Sequence, residues 1–151
     1  MSPAFESYVR QASVVGYSPM QDEPGYEAFL SANGIPPSDF LIPASKEILP
    51  EETARMLREK YASKSVAIFM PGRRFDASGT RHGRGHGWYD RLLAGVPEEW
   101  LRVGVLSPEL LSVEPLQRES WDQPVDILLV VDSGSFKVLE TKAREGVVQS
   151  T

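Results

Sequence analysis

Val66-Ala67-Ile68-Phe69-Met70 is an unbroken apolar run, entered from the polar Ser63-Lys64-Ser65 and closed by Pro71-Gly72. A strand with one face in water alternates polar and apolar side chains, so a run of this kind predicts a strand covered on both faces, as in a parallel sheet. Working outward, Ala54, Leu57 and Tyr61 recur at helical spacing within residues 51–62, with Met56 flanking the stripe. Glu51 and Glu52 stand at the start of that helix, where its dipole favours acid. Residues 14–17 and 40–42 read as further strands, with a short helix over 26–30 that stops near Gly34. On the other side, residues 88–93 read as a short helix ending at Gly95 and residues 102–106 and 126–131 as strands. Residues 136–140 are expected to return beside the last strand across a Ser133-Gly134 turn. The fold class is therefore α/β: three layers, a mostly parallel central sheet flanked by helices, with room for one antiparallel edge strand. Such sheets bind ligands beyond the carboxyl ends of their strands. The segment that leaves Met70 is where a ligand is expected.

The 151 residues suit one domain with its own core, in which 1–12 and 144–151 are expected to be loose. There is no cysteine, which excludes disulfides, thiolate metal sites and cysteine nucleophiles. No basic-then-apolar leader and no apolar run of membrane-spanning length is read, so a cytoplasmic location and no membrane partner are expected. With 16 basic against 21 acidic residues and a net charge of -5, the chain as a whole is a poor match for nucleic acid.

The exception is local. Pro71-Gly72-Arg73-Arg74-Phe75-Asp76-Ala77-Ser78-Gly79-Thr80-Arg81-His82-Gly83-Arg84-Gly85-His86-Gly87-Trp88-Tyr89-Asp90-Arg91 holds five of the 12 glycines and both histidines. From Arg73 onward it sets five arginines against Asp76 and Asp90. Gly83, Gly85 and Gly87 alternate just before a helix, which suits a backbone that turns with positive φ and presents N–H groups to phosphate. Arg81 and Arg84 would add planar forks, and Asp90 could hold a magnesium ion bridging phosphate oxygens. Neither a Walker A loop nor the Gly-x-Gly-x-x-Gly fingerprint is present. Other readings stay open on spacing alone: a flexible surface loop, a metal site of His82, His86 and Asp90, or a single-strand nucleic-acid contact using Phe75, Trp88 and Tyr89. For Trp100 and Trp121, core or rim packing is the ordinary expectation, and Asp122 by itself reads as a loop or cap residue.

The same run resembles the signature of the 5-formyltetrahydrofolate cyclo-ligases, also called 5,10-methenyltetrahydrofolate synthetases. Weaker matches occur in order at Gly16-Tyr17, Glu23-Pro24, Glu109-Leu110 and Trp121-Asp122-Gln123-Pro124-Val125-Asp126, so the resemblance covers about 14–131 and is that of a shortened member. It implies the α/β fold already read, ATP as co-substrate, Mg2+ as metal, and ring closure of 5-formyltetrahydrofolate to 5,10-methenyltetrahydrofolate through phosphorylation of the formyl oxygen. By that resemblance Arg81, His82, Gly83, Arg84, Gly85, His86, Gly87, Trp88 and Tyr89 form the ATP loop. Glu23, Arg84, Gly85, His86, Gly87 and Trp88 face the folate, Asp90 and Asp122 belong to the metal, and Arg84 and Tyr89 are the catalytic residues. Its partners would be folate and ATP, in a monomer or homodimer. A non-catalytic or repurposed small-ligand binder of the same fold is the competing reading.

Overall fold

The computed structural model describes residues 2–143. The chain begins with α1 (Pro3–Gln11), where a loose segment was expected. Ser2 caps it by accepting the Phe5 N–H at 3.2 Å, Pro3 suits its first turn, and Phe5 and Val9, one turn apart, are buried. The sequence around Ser2 thus carries a helix start, and burial of that stripe holds the segment down. The expected loose tail, 144–151, lies outside the described residues.

After α1 come β1 (Ser13–Tyr17), α2 (Glu27–Ala32), β2 (Phe40–Ile42), α3 (Pro50–Lys60), β3 (Val66–Met70), β4 (Arg74–Phe75) and β5 (Arg81–His82). Then follow α4 (Trp88–Ala94), β6 (Leu101–Leu106), a single 3-10 turn (Pro108–Leu110), β7 (Ile127–Asp132) and β8 (Ser135–Glu140). Six strands form one sheet in the order β2-β1-β3-β6-β7-β8. Neighbours from β2 to β7 run parallel, and β8 pairs antiparallel with β7 from Asp132↔Ser135 to Ile127↔Glu140. All five residues of β3 are buried, as a doubly covered strand requires. Tyr26, at the start of α2, stacks on Phe69 at 5.2 Å, and α3 packs beside α4. Right-handed crossovers place α2 and the pair α3, α4 on opposite faces, because the chain moves one way from β1 to β2 and the other way afterwards. Reversal at β1 leaves the carboxyl ends of β1 and β3 diverging into a crevice. Among the described residues, no helix is long and apolar enough to cross a membrane.

The first half of the glycine-rich segment is a hairpin in which Arg74 pairs with His82 and Phe75 with Arg81, and residues 83–87 run as a loop. Phe75 is fully buried against β6: a Cβ built on Gly104 would stand 2.4 Å from the Phe75 ring. Buried Asp76 organises the turn, accepting from the Ser78 and Thr80 N–H groups at 3.0 Å each and from Ser78 Oγ at 2.7 Å. Its other oxygen accepts the Leu116 N–H at 2.8 Å, which ties the hairpin to the connection between β6 and β7.

Candidate active site

A cavity of about 950 Å³ opens at the carboxyl edge of the sheet. The connection after β1 contributes Met20, Asp22 and Glu23, and the connection after β2 contributes Ala44 and Lys46. The segment after β3 supplies most of the wall, from Pro71 to Asp90, while the stretch after β6 adds Leu110, Gln117, Glu119, Trp121 and Asp122. Every residue assigned to the site by resemblance lines this cavity, although Glu23 and Asp122 lie about a hundred positions apart in the chain.

Its backbone is less uniform than the alternating glycines suggested. Gly85 (φ 91°) and Gly87 (φ 66°) are left-handed, as expected, but Gly83 is not. Gly83 is small for another reason: a Cβ there would come 3.1 Å from both terminal nitrogens of Arg81. Arg81 is buried rather than an extended fork, with its Nε donating to the Pro71 carbonyl at 2.6 Å and its guanidinium 4.9 Å from the centre of the Tyr89 ring. Burial lowers its pKa, opposed by Tyr89, Asp90, Glu23 and Asp122, so the cavity's carboxylates help to keep this cation charged.

Arg84 is exposed and committed to acid. Its Nη2 donates to Asp22 Oδ1 at 2.8 Å and Oδ2 at 3.0 Å and stands 3.5 Å from Glu23 Oε2. Glu23 also accepts the Met20 N–H at 2.8 Å, which holds the tight turn after β1. The Arg84–Asp22 pair is largely solvated, with Asp22 67% exposed, and solvent screening leaves such pairs little net stabilisation. A phosphate with more charge can therefore displace Asp22 at small cost.

Tyr89 is buried, and its hydroxyl has no hydrogen-bond partner among the described residues. An unpaired buried hydroxyl costs about 1–3 kcal/mol, and a ligand acceptor in the cavity would remove that cost. Desolvation pushes its pKa up, so the hydroxyl stays a donor at neutral pH. Trp88 meets Tyr89 edge-on at 5.1 Å and donates its Nε1–H to the Ile48 carbonyl at 3.1 Å. Trp121 is 63% exposed at the cavity wall, while Trp100 is in the core.

Asp90 Oδ1 accepts the Gln123 N–H at 2.9 Å and Asp122 Oδ2 accepts the Glu119 N–H at 2.8 Å. The bland reading of Asp122 as a turn-capping residue is thus correct as far as it goes. Each carboxylate keeps a second oxygen without a hydrogen-bond partner among the described residues. Burial raises the pKa of Asp90, and the charge of Asp122 raises it further, an arrangement that a cation between them would relieve. Two half-buried carboxylates with one spare oxygen apiece fit Mg2+, which takes one or two carboxylates and fills its remaining positions with water and phosphate.

Two of the other readings fail on geometry. Among the described residues, no three His, Asp or Glu side chains gather as metal ligands, and the His82 ring instead meets the Gln117 carbonyl at 2.7 Å. Of the three rings of the single-strand reading, Phe75 and Tyr89 are buried, which leaves half-buried Trp88 without a neighbouring ring for successive bases to stack on. Sequence reasoning missed Asp22 and Lys46, while Trp121 takes the rim position expected of it. Asp22 adjoins a residue already singled out, but nothing marks Lys46 among surface lysines.

A model of the 5-formyltetrahydrofolate cyclo-ligase family matches residues 30–131, which include the glycine-rich segment and Asp122 but not Glu23. Among solved structures, the chain is similar to the 5,10-methenyltetrahydrofolate synthetase of Aquifex aeolicus, at 25% identity and a TM-score of 0.53 over 91% of this chain and 74% of that one. It is similar in fold to the 5,10-methenyltetrahydrofolate synthetase from Mycoplasma pneumoniae, at 15% identity and a TM-score of 0.50 over 85% of this chain and 88% of that one. Comparison with curated protein sequences gives no match.

Proposed function

Because the chain belongs to the 5-formyltetrahydrofolate cyclo-ligase family, we propose that it closes 5-formyltetrahydrofolate to 5,10-methenyltetrahydrofolate at the expense of ATP, with Mg2+ as the metal. The observation that carries this reading is the convergence of Glu23, Arg81, Arg84, Tyr89, Asp90 and Asp122 from three separate connections in one cavity of about 950 Å³. In the reaction the formyl oxygen takes the γ-phosphoryl group and ADP leaves. N10 then attacks the formyl carbon, the carbon–oxygen bond breaks, and inorganic phosphate departs with that oxygen while N10 gives up its proton.

This chemistry is served by positioning and charge neutralisation more than by a strong base. Arg84, released from Asp22, donates to phosphate oxygens instead. Arg81, fixed on Pro71 and Tyr89, places a second positive charge that does not need to reorganise. The Tyr89 hydroxyl donates its unused proton to an oxygen of the transferred group. Glu23 stays beside the entering folate as an acceptor for ring N–H groups. Asp90 and Asp122 would hold Mg2+ through their spare oxygens, and the metal would neutralise charge on the departing phosphates.

The test is direct. Purified protein with Mg2+, ATP and 5-formyltetrahydrofolate should develop the near-ultraviolet absorbance of the methenyl product. Arg84→Ala and Asp90→Ala should each lower kcat/KM by roughly 10²-fold or more, the scale for losing one charge-stabilising group, with little change in melting temperature. Folded protein that binds ATP or folate without turnover would favour the ligand-binding alternative.

A further inference from the structure

Lys46 is a cavity cation to which no role has been given. It belongs to the connection between β2 and α3, outside the glycine-rich segment, yet its ammonium stands 5.5 Å from the centre of the Trp88 ring and 5.7 Å from that of Tyr89. Two of its three N–H donors go to the backbone carbonyls of Pro43 at 2.8 Å and Ala44 at 3.1 Å. Among the described residues no carboxylate forms an ion pair with it, whereas Arg84 holds Asp22.

We propose that Lys46 is a ligand-contacting residue of the cavity, one that takes an anionic oxygen of the nucleotide's phosphate chain. The ammonium keeps one donor to spare, and the two rings it covers belong to the residues that follow the glycine turns. Burial lowers the pKa of Lys46; Glu23 opposes the shift, and the charges of Arg84 and Arg81 add to it. Lys46, Arg81 and Arg84 line the same cavity, together with carboxylates that offset their charge. A chain of phosphates satisfies all three, and a single carboxylate does not. Swinging the ammonium from one carbonyl to a phosphate oxygen exchanges a neutral acceptor for a charged one, which is the stronger bond.

The proposal rests on the cyclo-ligase reading, and the experiment separates the two. Lys46→Met and Lys46→Arg are prepared in the full chain, checked by thermal unfolding, and titrated in a calorimeter with Mg2+ plus inorganic tripolyphosphate and, separately, with 5-formyltetrahydrofolate. Lys46→Met should weaken tripolyphosphate binding roughly tenfold, about 1.4 kcal/mol, and leave folate binding unchanged, with Lys46→Arg recovering most of the loss. Weakened folate binding with unaltered tripolyphosphate binding would mean that Lys46 serves a carboxylate and would overturn the proposal. So would two unaltered affinities, since Lys46 would then only pin its own loop onto Trp88. Failure of the unsubstituted protein to bind ATP or tripolyphosphate would refute both this proposal and the ATP-dependent reading, whereas normal wild-type binding with an unaffected Lys46→Met refutes Lys46 alone.

Discussion

Asp76→Asn removes one charge from the most heavily hydrogen-bonded carboxylate of the hairpin. In the native protein Oδ1 accepts from Ser78 N–H, Ser78 Oγ and Thr80 N–H, and Oδ2 accepts from Leu116 N–H. An amide has one acceptor oxygen. Turned toward Ser78 and Thr80 it keeps three bonds, but its NH2 group then faces the Leu116 N–H, donor against donor. A buried donor left unsatisfied costs about 1–3 kcal/mol, and three bonds pass from charge-assisted to neutral, so a total of about 2–4 kcal/mol is expected. For a domain of this size that is a fall of roughly 5–15 °C in melting temperature at neutral pH, measured by circular dichroism. The pH dependence supplies a second check. Burial alone would raise the pKa of Asp76, but the donors from Leu116, Ser78 and Thr80 outweigh it and hold the carboxyl below its ordinary value. A depressed native pKa contributes stability that is complete above the unfolded value, about 4, and is lost as pH falls through the folded one. The gap between parent and Asp76→Asn should therefore narrow below about pH 4. Equal melting temperatures at neutral pH, or a gap independent of pH, would show that Asp76 does not organise this turn.

Gly104→Ala should destabilise the protein by about 1–3 kcal/mol in denaturant titration, because the new methyl meets the buried Phe75 ring at 2.4 Å and the sheet leaves it no room. An unchanged midpoint would mean that Phe75 can leave its place under β6. Tyr89→Phe deletes a buried hydroxyl that has no partner among the described residues, so stability in denaturant titration should hold or rise by up to about 1–2 kcal/mol while turnover falls. Loss of stability would reveal a bond that the hydroxyl makes at rest, and unchanged turnover would remove Tyr89 from the chemistry.

The sheet was legible because its evidence is local. A strand buried on both faces has to be apolar throughout, and residues 66–70 say so without help from any other part of the chain. The turn at Ser133-Gly134 likewise announced the antiparallel edge, which the structure has in β8. The glycine-rich segment was legible in composition but not in shape. Glycine reports freedom, and two of the three alternating glycines use it, whereas Gly83 is small to make room for the Arg81 guanidinium. Arg81 looked like a free fork because the sequence does not record that its Nε has the Pro71 carbonyl as a partner. The helix at Pro3–Gln11 was missed because its amphipathic stripe is only two residues, and packing rather than propensity decides a helix that short.

By itself, then, the sequence determined the alternation of strands and helices, the antiparallel edge of the sheet, and the residue types gathered in the segment that leaves β3. These depend on neighbours within a few positions along the chain. Only the tertiary structure decided that Asp22 holds Arg84, that Lys46 lies over Trp88 and Tyr89, and that Asp90 and Asp122 share one wall. Those partners come from connections separated by whole crossovers, and the reversal of strand order at β1 brings them to the same side of the sheet.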